Sequence, residues 1–229
     1  MECPVLKGIS FRVVPHDFIG IMGSSGCGKT TLLNILGMLG RPDKGKVLYK
    51  GISTNEIYGE RLAMIRRKEI AFIFQDYYLM DSLSVKENIM LPLILNEEDP
   101  HESARTAEKI ADKFKIAKLL NKKPYELSGG EKQRTAICRA IAEKPELILA
   151  DEPTGNLDSR SAKIVMNSLA YINKKLGKTI LMVTHDPQIA SYCRKVLFLK
   201  EGKVLDILKC ESDKEEFRRN ILNQMQRMW

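Results

Sequence analysis

Apolar residues along the chain are grouped in short blocks separated by polar turns, and the blocks differ in kind. "VLKGISFRVV" (5–14) and "FIGIM" (18–22) read as two strands joined by a turn at Pro15, His16 and Asp17. A glycine-rich loop follows, then a helix predicted from Lys29 to Met38. "RPDKG" breaks the chain before a strand near Val47 to Tyr49. "IAFIF" (Ile70 to Phe74) and "LILA" (Leu147 to Ala150) are continuous apolar runs, the mark of strands buried on both faces, and "TILMV" (Thr179 to Val183) is a further strand.

The middle of the chain turns helical. "SVKE" (Ser84 to Glu87) is a capping box, in which a serine and a glutamate three residues on satisfy each other's backbone N–H groups. "DPHE" (Asp99 to Glu102) offers an N-cap aspartate, a proline at the first helical position and a glutamate to reach back. Further helices are predicted from Glu131 to about Ala142 and from Ser159 to Lys175, followed by a hairpin at Glu201-Gly202. The last stretch, "SDKEEFRRNILNQMQRMW", has Phe217, Ile221 and Met225 at every fourth position, so one helix face is apolar. That face either packs on its own domain or meets a partner. Buried parallel-type strands that each lead into a helix make the fold α/β, with a helical insert over about 77–140 and an amphipathic helix over about 212–229.

Composition narrows the class. The 229 residues suffice for one substantial domain, and 44% hydrophobic with 29% charged residues is ordinary for a globular chain. No apolar run approaches the roughly 20 residues needed to cross a bilayer, so direct membrane insertion is not expected. The N-terminus lacks the apolar core of a signal peptide. Cys3, Cys27, Cys138, Cys193 and Cys210 are odd in number and scattered, which fits reduced cytosolic thiols better than disulfides or a zinc site. The net charge of +8 fits a solvated basic surface or one facing anionic lipid. Nucleic-acid binding is disfavoured because no basic run is interleaved with aromatics.

The chemistry starts at "GSSGCGKT", Gly23 to Thr30, which fits G-x-x-x-x-G-K-[ST] between a strand and a helix. Gly23, Ser24, Ser25, Gly26, Cys27 and Gly28 would wrap phosphates in backbone N–H groups at a helix N-terminus. Lys29 would reach the β- and γ-phosphates, and the Thr30 hydroxyl, next to Thr31, would ligate Mg²⁺. "LILADE" ends a buried strand in Asp151, a candidate for the Mg²⁺ shell, and Glu152, a candidate to take a proton from an attacking water. A second glycine turn, Ser128-Gly129-Gly130, opens another helix and so offers another anion site. With one phosphate cradle already in place, the economical use of the spare turn is to cap a nucleotide held by a second copy of the chain. Cys27 inside the loop makes phosphate binding a target for thiol alkylation, whereas Cys138 reads as a small packing residue.

Six motifs in one order, "GSSGCGKTT", "FIFQD", "LSGGEKQR", "LILADE", "GNLD" and "VTHD", resemble an ATP-binding cassette (ABC) ATPase over essentially the whole chain. The resemblance implies a P-loop core with a parallel sheet, a small antiparallel β part and an inserted helical subdomain, within a single domain over 1–229. It implies ATP and Mg²⁺ as cofactors, with Gln75 ligating Mg²⁺ and sensing the γ-phosphate. It further implies that Ser128, Gly129 and Gly130 bind the partner's ATP, that Asp158 crosses the dimer interface and that His185 contacts the γ-phosphate. The implied partners are a second copy and an integral membrane permease, which would hold the chain on the cytoplasmic face of the membrane.

"FIFQDYYLMDSLSVKENIMLPL" and "VTHDPQIASYCRKVLFLKEGKV" look most like the bacitracin-type antimicrobial-peptide branch, related to macrolide-export and lipoprotein-release ATPases. Mechanical modules of the cell-division or lipoprotein-release type are the alternative. One departure stands out. Such cassettes carry a strand and an adenine-stacking aromatic upstream, whereas residues 1–8 here hold no aromatic, and Phe11 and Phe18 sit in predicted strands. The sequence therefore suggests a short N-terminus and weakened ATP affinity.

Overall fold

The computed structural model describes residues 4–211 and 213–228. Cys3 and the ends of the expected C-terminal helix, Ser212 and Trp229, lie outside them. The elements run β1 (Phe18–Gly23), α1 (Lys29–Leu36), β2 (Leu48–Tyr49), β3 (Ile52–Ser53), α2 (Gly59–Lys68), β4 (Ile70–Phe74), α3 (Val85–Leu95), α4 (Pro100–Lys113) and α5 (Gly129–Ile141). They continue with β5 (Leu147–Asp151), α6 (Ser159–Leu176), β6 (Thr179–Val183), α7 (Pro187–Ala190), β7 (Lys195–Lys200), β8 (Lys203–Lys209) and α8 (Lys214–Met228).

The strands form one sheet in the order β4-β5-β6-β1-β7-β8. All neighbours are parallel except β8, which pairs antiparallel with β7. β2 and β3 form a separate small antiparallel pair. Successive strand side chains point to opposite faces, so a strand buried on both sides must be apolar throughout. Phe18, Met22, Ile148, Ala150, Ile180, Met182, Val196 and Phe198 enter the core on one face, with Ile89 of α3, Ala107 of α4, Ile137 of α5 and Leu169 of α6. Ile19, Ile21, Leu149, Leu181, Val183, Leu197 and Leu199 enter the other, with Leu33 of α1 and Ile65 of α2. Each such Leu or Ile removed from water contributes about 1.5–3 kcal/mol.

Several sequence expectations need correction. Residues 5–14 form no strand. Leu6, Ile9, Phe11 and Val13 do alternate inward onto the second core, but the segment has no ladder; Lys7 N donates to Gly202 O at 2.7 Å. α1 stops at Leu36 rather than Met38. Gly37 caps it, and a Cβ there would lie 2.0 Å from Phe72 Cζ, while Met38 is already left-handed at φ 56. α5 begins at Gly129, two residues early, because the Glu131 carboxylate folds back to accept from Ser128 N at 2.9 Å. Glu102 does not reach back to its cap; it pairs with Arg105 at 2.8 Å, leaving Asp99 to accept from the N–H groups of His101 and Glu102. The Ser84 capping box forms with both bonds present.

The apolar face of α8 is spent on its own domain: Phe217, Ile221 and Met228 are buried in the first core, and Met225 packs against it. Asp213 caps the helix by accepting from Glu215 N and Glu216 N. Phe217→Ala is expected to cost about 3–5 kcal/mol. The check is a lower urea midpoint with an unchanged denaturant slope.

Candidate nucleotide site

The phosphate loop is built where β1 runs out. Gly23 lies so close to β7 that a Cβ would sit 2.2 Å from Leu199 O. Gly28 caps α1 in the left-handed region at φ 101, where any other residue is strained. The first turn of α1 holds no acidic residue and its cap makes no side-chain hydrogen bond, so its N–H groups and positive end are open to an anion. Lys29, the first residue of α1, is only 8% exposed. Its ammonium donates to Gly23 O at 2.9 Å and Ser24 O at 2.7 Å. The charge is thus held over the loop by carbonyls that phosphate oxygens can replace. Cys27 turns inward beneath the loop, its Sγ 3.9 Å from Lys29 Nζ.

Strand register supplies the acids. Asp151 stands opposite Val183 in β6 and Phe74 in β4, so the ends of three strands share one edge. Thr30 Oγ1 donates to Asp151 Oδ2 at 2.9 Å, joining two of the three expected metal ligands directly. Burial raises the Asp151 pKa, and the negative charge of Glu152 adds to this; the Thr30 hydrogen bond and the Lys29 charge oppose them. Glu152, at φ 44, anchors its N–H to Val183 O at 3.1 Å. Its Oε2 lies 3.0 Å from His185 Nδ1. Ser24, Ser25, Gly26, Lys29, Thr30, Thr31, Glu152 and His185 line one cleft of about 560 Å³ together with Gly23, Gly28 and Val5. A hydroxyl beside a carboxylate, with a second carboxylate adjacent, is a hard-oxygen set that fits Mg²⁺, an ion that uses few protein ligands alongside phosphates.

The remaining candidates lie elsewhere. Gln75 follows β4 and donates from Nε2 to Asn156 Oδ1 at 2.9 Å rather than to Thr30 or Asp151. Ser128, Gly129 and Gly130 sit at the start of α5. Gly129 faces Tyr77 and Leu157, and Gly130 faces Ser161. None of the three lines the phosphate cleft. Asp158 caps α6, accepting from Arg160 N and Ser161 N; hydrogen bonding from the Ser161 hydroxyl first, and then from these N–H groups, lowers its carboxyl pKa. The sequence reading missed three residues. Val5 lines the cleft and packs on Gly28. Asn156 binds Gln75, and Arg139 donates to the carbonyls of Tyr77 and Tyr78. "GNLD" was the available signal for Asn156, though Asp158 alone was drawn from it.

This geometry defines a P-loop nucleotide site on a parallel sheet, and comparison with known proteins specifies it. The ABC transporter family model matches residues 6–155, and the chain belongs to that family as an ATP-hydrolysing, ATP-binding subunit. The ABC transporter ATP-binding protein YxdL of Bacillus subtilis (strain 168) is 48% identical over 95% of this chain and 85% of its own. The bacitracin export ATP-binding protein BceA of Halalkalibacterium halodurans is 42% identical over 95% and 87%. A dimeric structure of a post-hydrolysis state of the ATP-binding cassette MJ0796, bound to ADP and Pi, superposes with a TM-score of 0.83 at 38% identity, covering 91% of this chain and 92% of that one. The fold, including its antiparallel part and helical insert, is that of such cassettes.

Lys29→Met is expected to weaken ATP binding about 10- to 150-fold, the equivalent of a charged hydrogen bond of about 1.5–3 kcal/mol. Equilibrium titration with a fluorescent ATP analogue checks it. Cys27, 5% exposed and turned inward beneath the loop, is expected to react with iodoacetamide only slowly on the folded chain, with inactivation following its modification and ATP slowing it further. Cys138 and Cys193, fully buried and with their thiol pKa pushed up by that burial, should label only after unfolding, as peptide mass mapping would show.

Proposed function

We propose that this chain works as a homodimer enclosing two molecules of ATP with Mg²⁺, and that it drives an integral membrane permease that exports or removes antimicrobial peptides. The observation that carries the catalytic half is the meeting of two pairs, Thr30 with Asp151 and Glu152 with His185, at the N-terminus of α1. Residues 23–31 would hold the phosphates, with Lys29 exchanging its carbonyl partners for phosphate oxygens. Mg²⁺ held by Thr30, Asp151 and Gln75 would neutralise charge on the β- and γ-phosphates. Glu152 would accept a proton from the attacking water, its carboxylate fixed by the His185 ring, whose Nε2 is left for the γ-phosphate. Catalysis of this kind works by positioning and charge neutralisation rather than covalent chemistry.

The composite site has its own support. Ser128, Gly129, Gly130 and Asp158 all stand at helix starts outside the chain's own cleft, so a nucleotide contact from them requires a second copy. The likeness to the dimeric cassette supports that arrangement. The single domain would divide into a core and a helical subdomain over about 77–140, linked through Gln75. Tyr78 and Met80, both exposed beyond that link, offer apolar surface to the permease. No helix among the described residues is long and apolar enough to cross a membrane; the permease would place the chain on the cytoplasmic face. The peptide reading rests on the bacitracin-export relative.

The test is the molar mass of Glu152→Gln by light scattering, with and without Mg·ATP. A shift from monomer to dimer on adding ATP, abolished by Ser128→Arg, is expected. A dimer indifferent to ATP, or one that survives Ser128→Arg, would overturn the composite site. For the substrate class, co-purification with a permease in a complex whose ATPase activity rises with bacitracin supports the peptide reading. A co-purifying membrane protein that no peptide stimulates would favour a mechanical module instead.

A further inference from the structure

We infer that Asn156 is a positioning residue that sets which end of the Gln75 carboxamide faces the metal and phosphates. The inference rests on the reading of Gln75 as a metal ligand. Asn156 lies in the turn between β5 and α6, and its Nδ2 donates to Gln75 O at 3.4 Å and to Asp76 Oδ1 at 3.2 Å. A backbone carbonyl and a carboxylate only accept, so the amide nitrogen of Asn156 has to face them. Its Oδ1 is then directed at Gln75, and an oxygen at that position accepts only from a donor. The Gln75 Nε2 fills that role at 2.9 Å. With its nitrogen committed, Gln75 keeps Oε1 as the end left for another partner. Gly155 presses on the same group: a Cβ there would stand 2.9 Å from Gln75 Cδ.

The consequence is chemical. Mg²⁺ takes oxygen ligands, and a carboxamide turned the other way presents N–H donors that repel the ion. A free glutamine has nearly equal reason to adopt either orientation. Asn156 removes the choice by a chain of hydrogen bonds anchored on the backbone carbonyl of Gln75 itself. It also stands two residues before Asp158, so the turn that would meet a second copy is bonded directly to the Gln75 side chain.

The test uses the full chain and equilibrium binding of a fluorescent ATP analogue, once with Mg²⁺ and once in EDTA. The quantity read is the gain in affinity that Mg²⁺ provides. Asn156→Ala is expected to reduce that gain about two- to tenfold, the equivalent of one net hydrogen bond, with affinity in EDTA unchanged. Gln75→Ala should lose the gain too, and the double variant should lose no more than Gln75→Ala alone. Asn156 is exposed, so folding should survive, as an unchanged melting temperature would show. If Gln75→Ala loses the gain and Asn156→Ala keeps it, Asn156 has no orienting role, and the reading of Gln75 stands. Equal weakening by Asn156→Ala in Mg²⁺ and in EDTA would mean general loosening and would also overturn the proposal. A Mg²⁺ gain that survives Gln75→Ala would remove the reading of Gln75, and the proposal with it.

Discussion

The parallel pairing of β1 with β6 and of β6 with β5 is the constraint on which the site depends. Parallel strands in register bring their C-terminal ends to one edge of the sheet, where the chain must turn out into loops. Phe18–Ile21 stand beside Ile180–Val183, and Leu147–Asp151 beside Thr179–Val183. A phosphate loop, an adjacent pair of carboxylates and a histidine, three points spread over more than a hundred residues of sequence, therefore meet at one end of the sheet. The buried apolar alternation on both faces secures this register. A slip by one residue would move Asp151 away from Thr30 and reverse every core side chain of the strand.

Motifs carried by consecutive residues were legible from the sequence. "GSSGCGKT" needs its glycines for local backbone reasons, and the Ser84 box closes within four residues. Strands β1, β4, β5 and β6 were legible because continuous apolar runs bounded by polar turns have few other uses. α2 was not, since Ile65 is its only buried residue and so no apolar stripe marks it. The segment 5–14 misled for the opposite reason. Its alternation is real and packs one face inward, but alternation reports burial on a face, and a strand also needs a partner for its backbone.

The candidate site divided along the same line. Lys29, Thr30, Asp151, Glu152 and His185 converge as their motifs imply. The surroundings of Gln75 escaped the sequence because they are made by contacts between residues far apart in the chain: Asn156 binds it from the β5–α6 turn, and Gln133 donates to Phe74 O at 3.2 Å. Arg139, its pKa lowered by burial, donates to the carbonyls of Tyr77 and Tyr78. Both tyrosines are left-handed, at φ 64 and 44, a conformation costly for bulky side chains. A guanidinium of α5 thus holds a strained loop in place.

That strain bears on how α5 and the β5–α6 turn are linked. Residues held in unfavourable backbone regions persist only where their surroundings over-determine them, and here the determinants come from two directions. Arg139 and Gln133 belong to the helix that opens with Ser128, whereas Asn156 belongs to the turn leading to Asp158. Movement of α5 relative to the sheet would pull on the carbonyls of Tyr77 and Tyr78, and movement of the β5–α6 turn would pull on Gln75. The segment from Phe74 to Tyr78 therefore takes hydrogen bonds both from α5, through Gln133 and Arg139, and from the turn before α6, through Asn156, and a displacement of either flank is passed along this segment to the end of β4.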